Sequence, residues 1–174
     1  MRSIGVAGLA LMLASPLAAQ ERLVFTPPGG FTFAFEGEDG ALREWLPEGE
    51  SLETWTRLVT HTHRPGLQVT AMQFAQALAG AMAERCAGLE ATLELQGLQN
   101  GYDILVITTA CPLHFMGGKG AETTIVKVIA GREAIHTVQY AWRGEMDDSG
   151  MVAAMRWTVA QILCDPSETA SPCP

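Results

Sequence analysis

The chain is short of positive charge: 11 Lys+Arg stand against 19 Asp+Glu in 174 residues, a formal net charge of −8. A surface of that sign repels phosphate backbones, which argues against nucleic acid and anionic membrane as partners. It also favours solubility, a reading that needs no partner at all. Past the first twenty residues there is no long apolar run. The most apolar later stretch, ILVITTA from Ile104 to Ala110, is strand-length and β-branched, so no stable membrane anchor is expected. Internal repeats and low-complexity blocks are absent. So are a G-x-S-x-G elbow, a C-x-x-C pair and close-spaced cysteine ligands, the usual signatures of a serine hydrolase, a thiol redox centre and a structural zinc site.

What is present begins with a leader. MRSIGVAGLALMLASPLAAQ carries Arg2, an apolar run from Ile4 to Ala14 too short to span a bilayer, and the small pair Ala18-Ala19. This pattern predicts a secretory signal peptide over residues 1–19, cleaved near Ala19 or Gln20, and no cysteine stands there for lipidation. Residues 20–174 then form a single periplasmic or secreted domain, since about 155 residues suffice for one core.

Export changes how Cys86, Cys111, Cys164 and Cys173 read, because an oxidising compartment favours pairing of an even set. Four cysteines allow three connectivities, which sequence alone does not separate. The expected pairs are Cys86 with Cys111, joining a helix end to a strand end, and Cys164 with Cys173. The second closes the tail Asp165 to Pro172, whose prolines and small polar residues offer no hydrophobic means of docking.

Periodicity predicts an α+β fold in the order ββαβαββββα. Large apolar residues alternate around Glu38-Asp39-Gly40, a hairpin from about Phe31 to Leu46. Leu52, Trp55 and Leu58 recur at helical spacing behind Ser51, a short helix. LVTHTHRPG reads as a short strand. Thr70 and Gln73 have the capping-box spacing and open a helix that Gly88 ends, its one face rich in small residues. Asn100-Gly101 and Gly131-Arg132-Glu133 mark two further hairpins. Asp147 or Asp148 caps a last helix running into Cys164. Hairpin connections imply an antiparallel sheet with helices on one face.

Several constellations are candidates for chemistry. His61 and His63 share one face of a strand at a spacing usable for metal ligands, with His114, His136 or a carboxylate needed as third ligand; a solvated strand face is the plainer reading. MGGKG (Met116 to Gly120) lacks the first glycine and the Ser/Thr of a P-loop, so it reads as a hairpin loop whose Lys119 is free to contact an acidic group. Glu44, Glu48, Glu50 and Glu53 can supply an acid–base pair or serve a helix start. Trp45, Trp55, Trp142 and Trp157 suit a sheet–helix interface, as core or as the wall of a ligand groove.

EWLPEGESLETWTRLVT, ETTIVKVIAGREAIHTVQYAWR and CDPSETASPCP together resemble a family of small exported proteins of Gram-negative bacteria. The resemblance covers about half of the mature chain and implies export and paired cysteines, without functional residues. The order of strands and helices also resembles the PsbP-like α/β/α sandwich class. The expectation is a non-enzymatic binding or accessory protein with an unknown protein or small-molecule partner and no cofactor. An inhibitor or immunity protein for an exported toxin, or a hydrolase using scattered carboxylates or histidines, are the alternatives.

Overall fold

The computed structural model describes residues 21–112 and 120–174. The expected leader lies outside them, as do His114 and Lys119. In chain order the elements are β1 (Arg22–Val24), β2 (Phe31–Glu36), β3 (Leu42–Pro47), β4 (Arg57–Pro65), α1 (Ala71–Ala83), β5 (Glu90–Gln99), β6 (Tyr102–Cys111), β7 (Glu122–Ala130), β8 (Ala134–Arg143), α2 (Asp148–Ala160) and β9 (Ile162–Cys164). Seven strands make one antiparallel sheet, β2-β3-β4-β8-β7-β6-β5, and β1 pairs with β9 in a small second sheet. The large sheet is two meanders joined along β4 and β8. α1 carries the chain from its middle to its far edge.

Local chemistry places the Asn100-Gly101 turn and both helix N-termini where the sequence predicts them, while α1 stops at Ala83, short of the expected end at Gly88. Asn100 and Gly101 both take left-handed backbone, φ 49° and 80°, as a two-residue turn matched to strand twist requires. Thr70 and Gln73 form the reciprocal capping box, and Asp147 caps α2 by accepting from the Gly150 N–H at 2.7 Å. α1 presses Ala71 and Ala75 against Leu105, Ile107, Val126 and Val128, and small side chains allow that close approach.

Other expectations fail, each for a tertiary reason. The helices do not share a face. Val106 and Ile125, one residue out of phase with the α1 contacts, point to the opposite side and pack with Ala154 of α2. β6 and β7 are therefore buried on both faces, and the arrangement is the α/β/α sandwich.

The short helix after Ser51 is a turn. Glu50 accepts from the Thr56 N–H at 2.6 Å and from its hydroxyl at 2.7 Å, and Thr56 O already pairs with Arg143 N at the sheet. Trp55 and Leu58 still pack with Leu46 and Ala141, while Leu52 is exposed. The last helix stops at Ala160; Ile162 to Cys164 leave it as a strand pairing with Arg22 to Val24.

Alternation also misleads at both edges of the large sheet. A β-bulge between Phe33 and Phe35 sets Phe33 beside Trp45 on the α2 face and Phe35 beside Glu44 on the α1 face. A second bulge, between Leu93 and Leu95, separates those leucines in the same way.

Both expected disulfides are present, Cys86–Cys111 and Cys164–Cys173. The tail does more than hang from its bridge. Arg132 donates to Asp165 Oδ2 at 3.0 Å, to the Ser171 hydroxyl at 3.3 Å and to the Tyr102 hydroxyl at 3.0 Å. Asn100 Nδ2 donates to the carbonyls of Leu163 and Pro172 at 2.9 and 3.1 Å. The tail docks by polar contacts, as its composition demands.

Candidate functional site

The α2 face carries a connected run of aromatic rings. Phe33 meets Trp45 at 5.8 Å between centroids, Trp45 meets Phe25 at 4.5 Å, Phe25 meets Trp157 at 5.7 Å, and Trp157 meets Tyr140 at 5.9 Å. Phe25 sits on the segment that leaves β1 and crosses the face to β2. Trp157 pins that crossing by donating its indole N–H to Thr26 O at 2.9 Å. A cleft opens on either side of the strap.

The first, about 540 Å³, lies between α2 and strands β4 and β8. Tyr140, Trp142 and Trp157 form its wall, with Arg57, Glu145 and Asp147 at the rim. Trp142 and Trp157 thus line a groove, whereas Trp55 is core and Trp45 belongs to the neighbouring cleft.

The second cleft, about 420 Å³, contains the histidines. His63 stands directly across the ladder from His136, and His61 is two residues along the same face. The His61 and His136 rings lie parallel, with Nε2 and Nδ1 3.3 Å apart, and the His63 ring is 4.8 Å from that of His136 between centroids. His61 and His63 are half-buried and His136 is 5% exposed, so this is no solvated strand face. Burial drives His61 down to about 4, with His63 and Arg43 adding to the effect. It drives His136 down to about 3, aided by the two neighbouring imidazoles. His61 and His136 are therefore neutral at physiological pH. The alternative metal-ligand arrangement does not form either: among the described residues no three His, Cys, Asp or Glu side chains are placed to hold an ion. His136 Nε2 is buried without a hydrogen-bond partner among the described residues.

The α1 face has a groove of about 470 Å³, because α1 covers β6 and β7 and leaves β3, β4 and part of β8 open. Its floor includes Thr60, Thr62, Thr124 and Gln139. Burial raises the carboxyl groups of Glu44 and Glu122 above the usual range, opposed at Glu44 by a hydrogen bond from Thr60 and at Glu122 by Arg143. Glu44, Glu48, Glu50 and Glu53 do not converge on an acid–base pair, and the helix start that is their alternative role is a turn. Glu44 faces this groove, Glu48 is exposed, Glu50 holds Thr56 and Glu53 accepts from Ser51 at 2.6 Å.

Lys127 escaped the sequence reading because it sits in TTIVKVIA, an otherwise apolar strand. It is fully buried, and its ammonium donates to Val159 O at 2.7 Å, to Gln161 O and to the Gln99 side chain. α2 has no basic residue in its last turn, so Lys127 supplies the positive group for its C-terminal carbonyls from the sheet. Burial lowers its pKa to about 8.

The geometry defines an α/β/α sandwich on an antiparallel sheet, with a strapped, aromatic-lined face. No protein-family model matches the chain, and no curated protein sequence matches it. Solved structures do share its shape. The Saccharomyces cerevisiae Ran-binding protein Mog1p superposes with a TM-score of 0.50 at 10% identity, over 78% of this chain and 84% of that one. A point mutant of the protein Mog1 gives 0.49 at 11%, over 72% and 74%. A Bacteroides thetaiotaomicron protein gives 0.47 at 13%, over 81% of this chain and 44% of that one. At such identities the likeness to Mog1p is one of fold alone. No helix among the described residues is long and apolar enough to cross a membrane.

Proposed function

We propose that the chain is an exported, non-enzymatic binding or accessory protein that takes its partner on the α2 face, at the cleft walled by Tyr140, Trp142 and Trp157. The observation that carries this reading is the cleft itself: large flat rings in a concavity of about 540 Å³, rimmed by Arg57, Glu145 and Asp147. Rigid aromatic walls with a few charged rim groups are what binding surfaces use to gain area at small entropic cost. Two disulfides support residence in an oxidising compartment. A protein of the same fold described as Ran-binding supports a role in engaging a protein partner.

Copurification from periplasmic extract tests the proposal. Ala153 is an exposed α2 residue lining the cleft, and Ala81 is an exposed α1 residue lining the groove on the other face. Ala153→Arg is expected to abolish capture of whatever the wild type retains, with Ala81→Arg retaining it. Equal capture by Ala153→Arg, or loss with Ala81→Arg alone, overturns the assignment.

A further inference from the structure

We infer that the cleft around His61, His63 and His136 is a binding site for a small organic anion, a carboxylate carried on an apolar or aromatic body. This cleft lies across the strap from the one proposed to engage a partner, and the inference stands whether or not a partner docks there.

Charge is the first argument. In a chain of net charge −8, this one cleft gathers Arg22, Arg43 and three of the four histidines. The carboxylate that lines it, Glu21, is already engaged: it accepts from the backbone N–H groups of Arg132 and Glu133 at 2.7 and 3.0 Å and pairs with Arg132 Nε at 3.3 Å. Arg22 is held at the site by its hydrogen bond to Cys173 Sγ at 3.4 Å, so the tail disulfide helps place a cation here. Arg43 also pairs through Nε with Glu36 at 2.7 Å, which leaves its remaining guanidinium N–H groups and Arg22 for a ligand; a metal ion would meet two arginines and, among the described residues, no ligand triad, whereas an anion meets complementary charge.

The second argument is the unpartnered nitrogen. Buried imidazole nitrogens ordinarily find partners, and one that has none calls for an explanation. When His61 Nε2–H donates to His136 Nδ1, the His136 proton stands on Nε2 with nothing among the described residues to accept it. A carboxylate oxygen supplies that acceptor. Phe25 and Trp45, 4.5 Å apart between centroids, form the apolar wall against which the rest of the ligand lies.

The groups facing the imidazoles are Glu21, just before β1, Arg22 of β1, Arg43 of β3 with its ion-pair partner Glu36 of β2 at 2.7 Å, and Trp157 from α2 by way of Phe25. β7 presents Ile129 across from His136, and Lys127 is separated from His61 by Val138, its ammonium bound by carbonyls of α2. An anion set among these groups favours the protonated imidazoles, so binding takes up protons and tightens as pH falls.

Benzoate is the probe, followed by tryptophan fluorescence and by long-range 1H–15N spectra of the histidines. The expected result is saturable one-to-one binding that shifts the His136 Nε2 resonance. Benzamide binds about tenfold more weakly or worse, because it lacks the charge. Affinity rises about threefold or more from pH 6.5 to 5.0, towards the values at which His61 and His136 take up protons, and Arg43→Gln weakens it about fivefold without moving the thermal midpoint. Ala153→Arg, which blocks the other cleft, leaves benzoate affinity unchanged. Equal binding of benzamide, affinity independent of pH, indifference to Arg43→Gln together with Arg22→Gln, or absence of saturable binding each overturns the inference.

Discussion

Acid should destabilise this protein well before its carboxylates titrate, and two histidines, His61 and His136, set the size of the effect. An unfolded histidine takes a proton near pH 6.5. In the folded chain His61 does so only near 4 and His136 near 3, because burial and the adjacent imidazoles oppose the charge. The folded pKa values are depressed, so the unfolded state binds more protons between these limits. The stabilisation is complete above about pH 6.5 and is lost as pH falls through the window down to the folded values. At pH 5 both folded imidazoles are still neutral, and each contributes a loss of about 2 kcal/mol, together about 4 kcal/mol. That is a large part of the 5 to 15 kcal/mol typical of a domain. Glu44 and Glu122 act with the opposite sign, since their raised pKa values add stability as they protonate. Urea unfolding followed by tryptophan fluorescence at pH 7.5 and pH 5.0, with disulfides intact, measures the difference. The double variant His61→Gln/His136→Gln should be less stable at pH 7.5 yet lose about 4 kcal/mol less than the wild type on acidification. A wild type that loses under about 1 kcal/mol, or a double variant that keeps the full loss, refutes the reasoning.

Three further outcomes follow from the packing. Lys127→Ala leaves a cavity and strips the Val159 and Gln161 carbonyls of their donor, and should cost about 3 kcal/mol or more by urea titration; a cost under about 1 kcal/mol would refute the capping role. Gly101→Ala forces a side chain into left-handed backbone at φ 80° and within 2.8 Å of Ala170 O. It should cost about 1 to 2 kcal/mol and raise hydrogen exchange in the tail, whereas an unchanged tail would show that the contact does not hold it. Replacing Cys164 and Cys173 together with Ala removes a nine-residue loop closure and should cost about 2 to 3 kcal/mol, with folding retained through the Arg132 and Asn100 contacts. Non-reducing peptide mapping that finds Cys173 joined to Cys86 or Cys111 instead would overturn the connectivity.

How much of this was legible in the residues depended on distance along the chain. The Asn100-Gly101 turn, the Thr70/Gln73 box and the Asp147 cap are settled by groups within three or four positions of each other; the first two were readable, and the cap was readable to within the pair Asp147 and Asp148. Trp55 shows the limit of periodicity: its helical spacing from Leu52 and Leu58 marked a buried residue correctly and its element wrongly, because Glu50 and the β8 edge had claimed Thr56. The candidate sites were half visible. His61 and His63 carried a spacing signal, but the residue that makes their cleft unusual, His136, lies 75 positions from His61. Lys127 had a signal that a closer reading would have caught, a lone cation in an apolar strand.

By itself, then, the sequence determined the hairpins, the caps and the even set of cysteines, because these rest on backbone preferences and bonding between near neighbours. The tertiary structure alone decided that the helices take opposite faces, that single-residue bulges send Phe35 and Leu95 to the sides their alternation denies, and that β1 reaches across the chain to β9. A bulge or a long-range register changes which face a side chain occupies without leaving a mark on local composition, and it is the face that assembles a cleft.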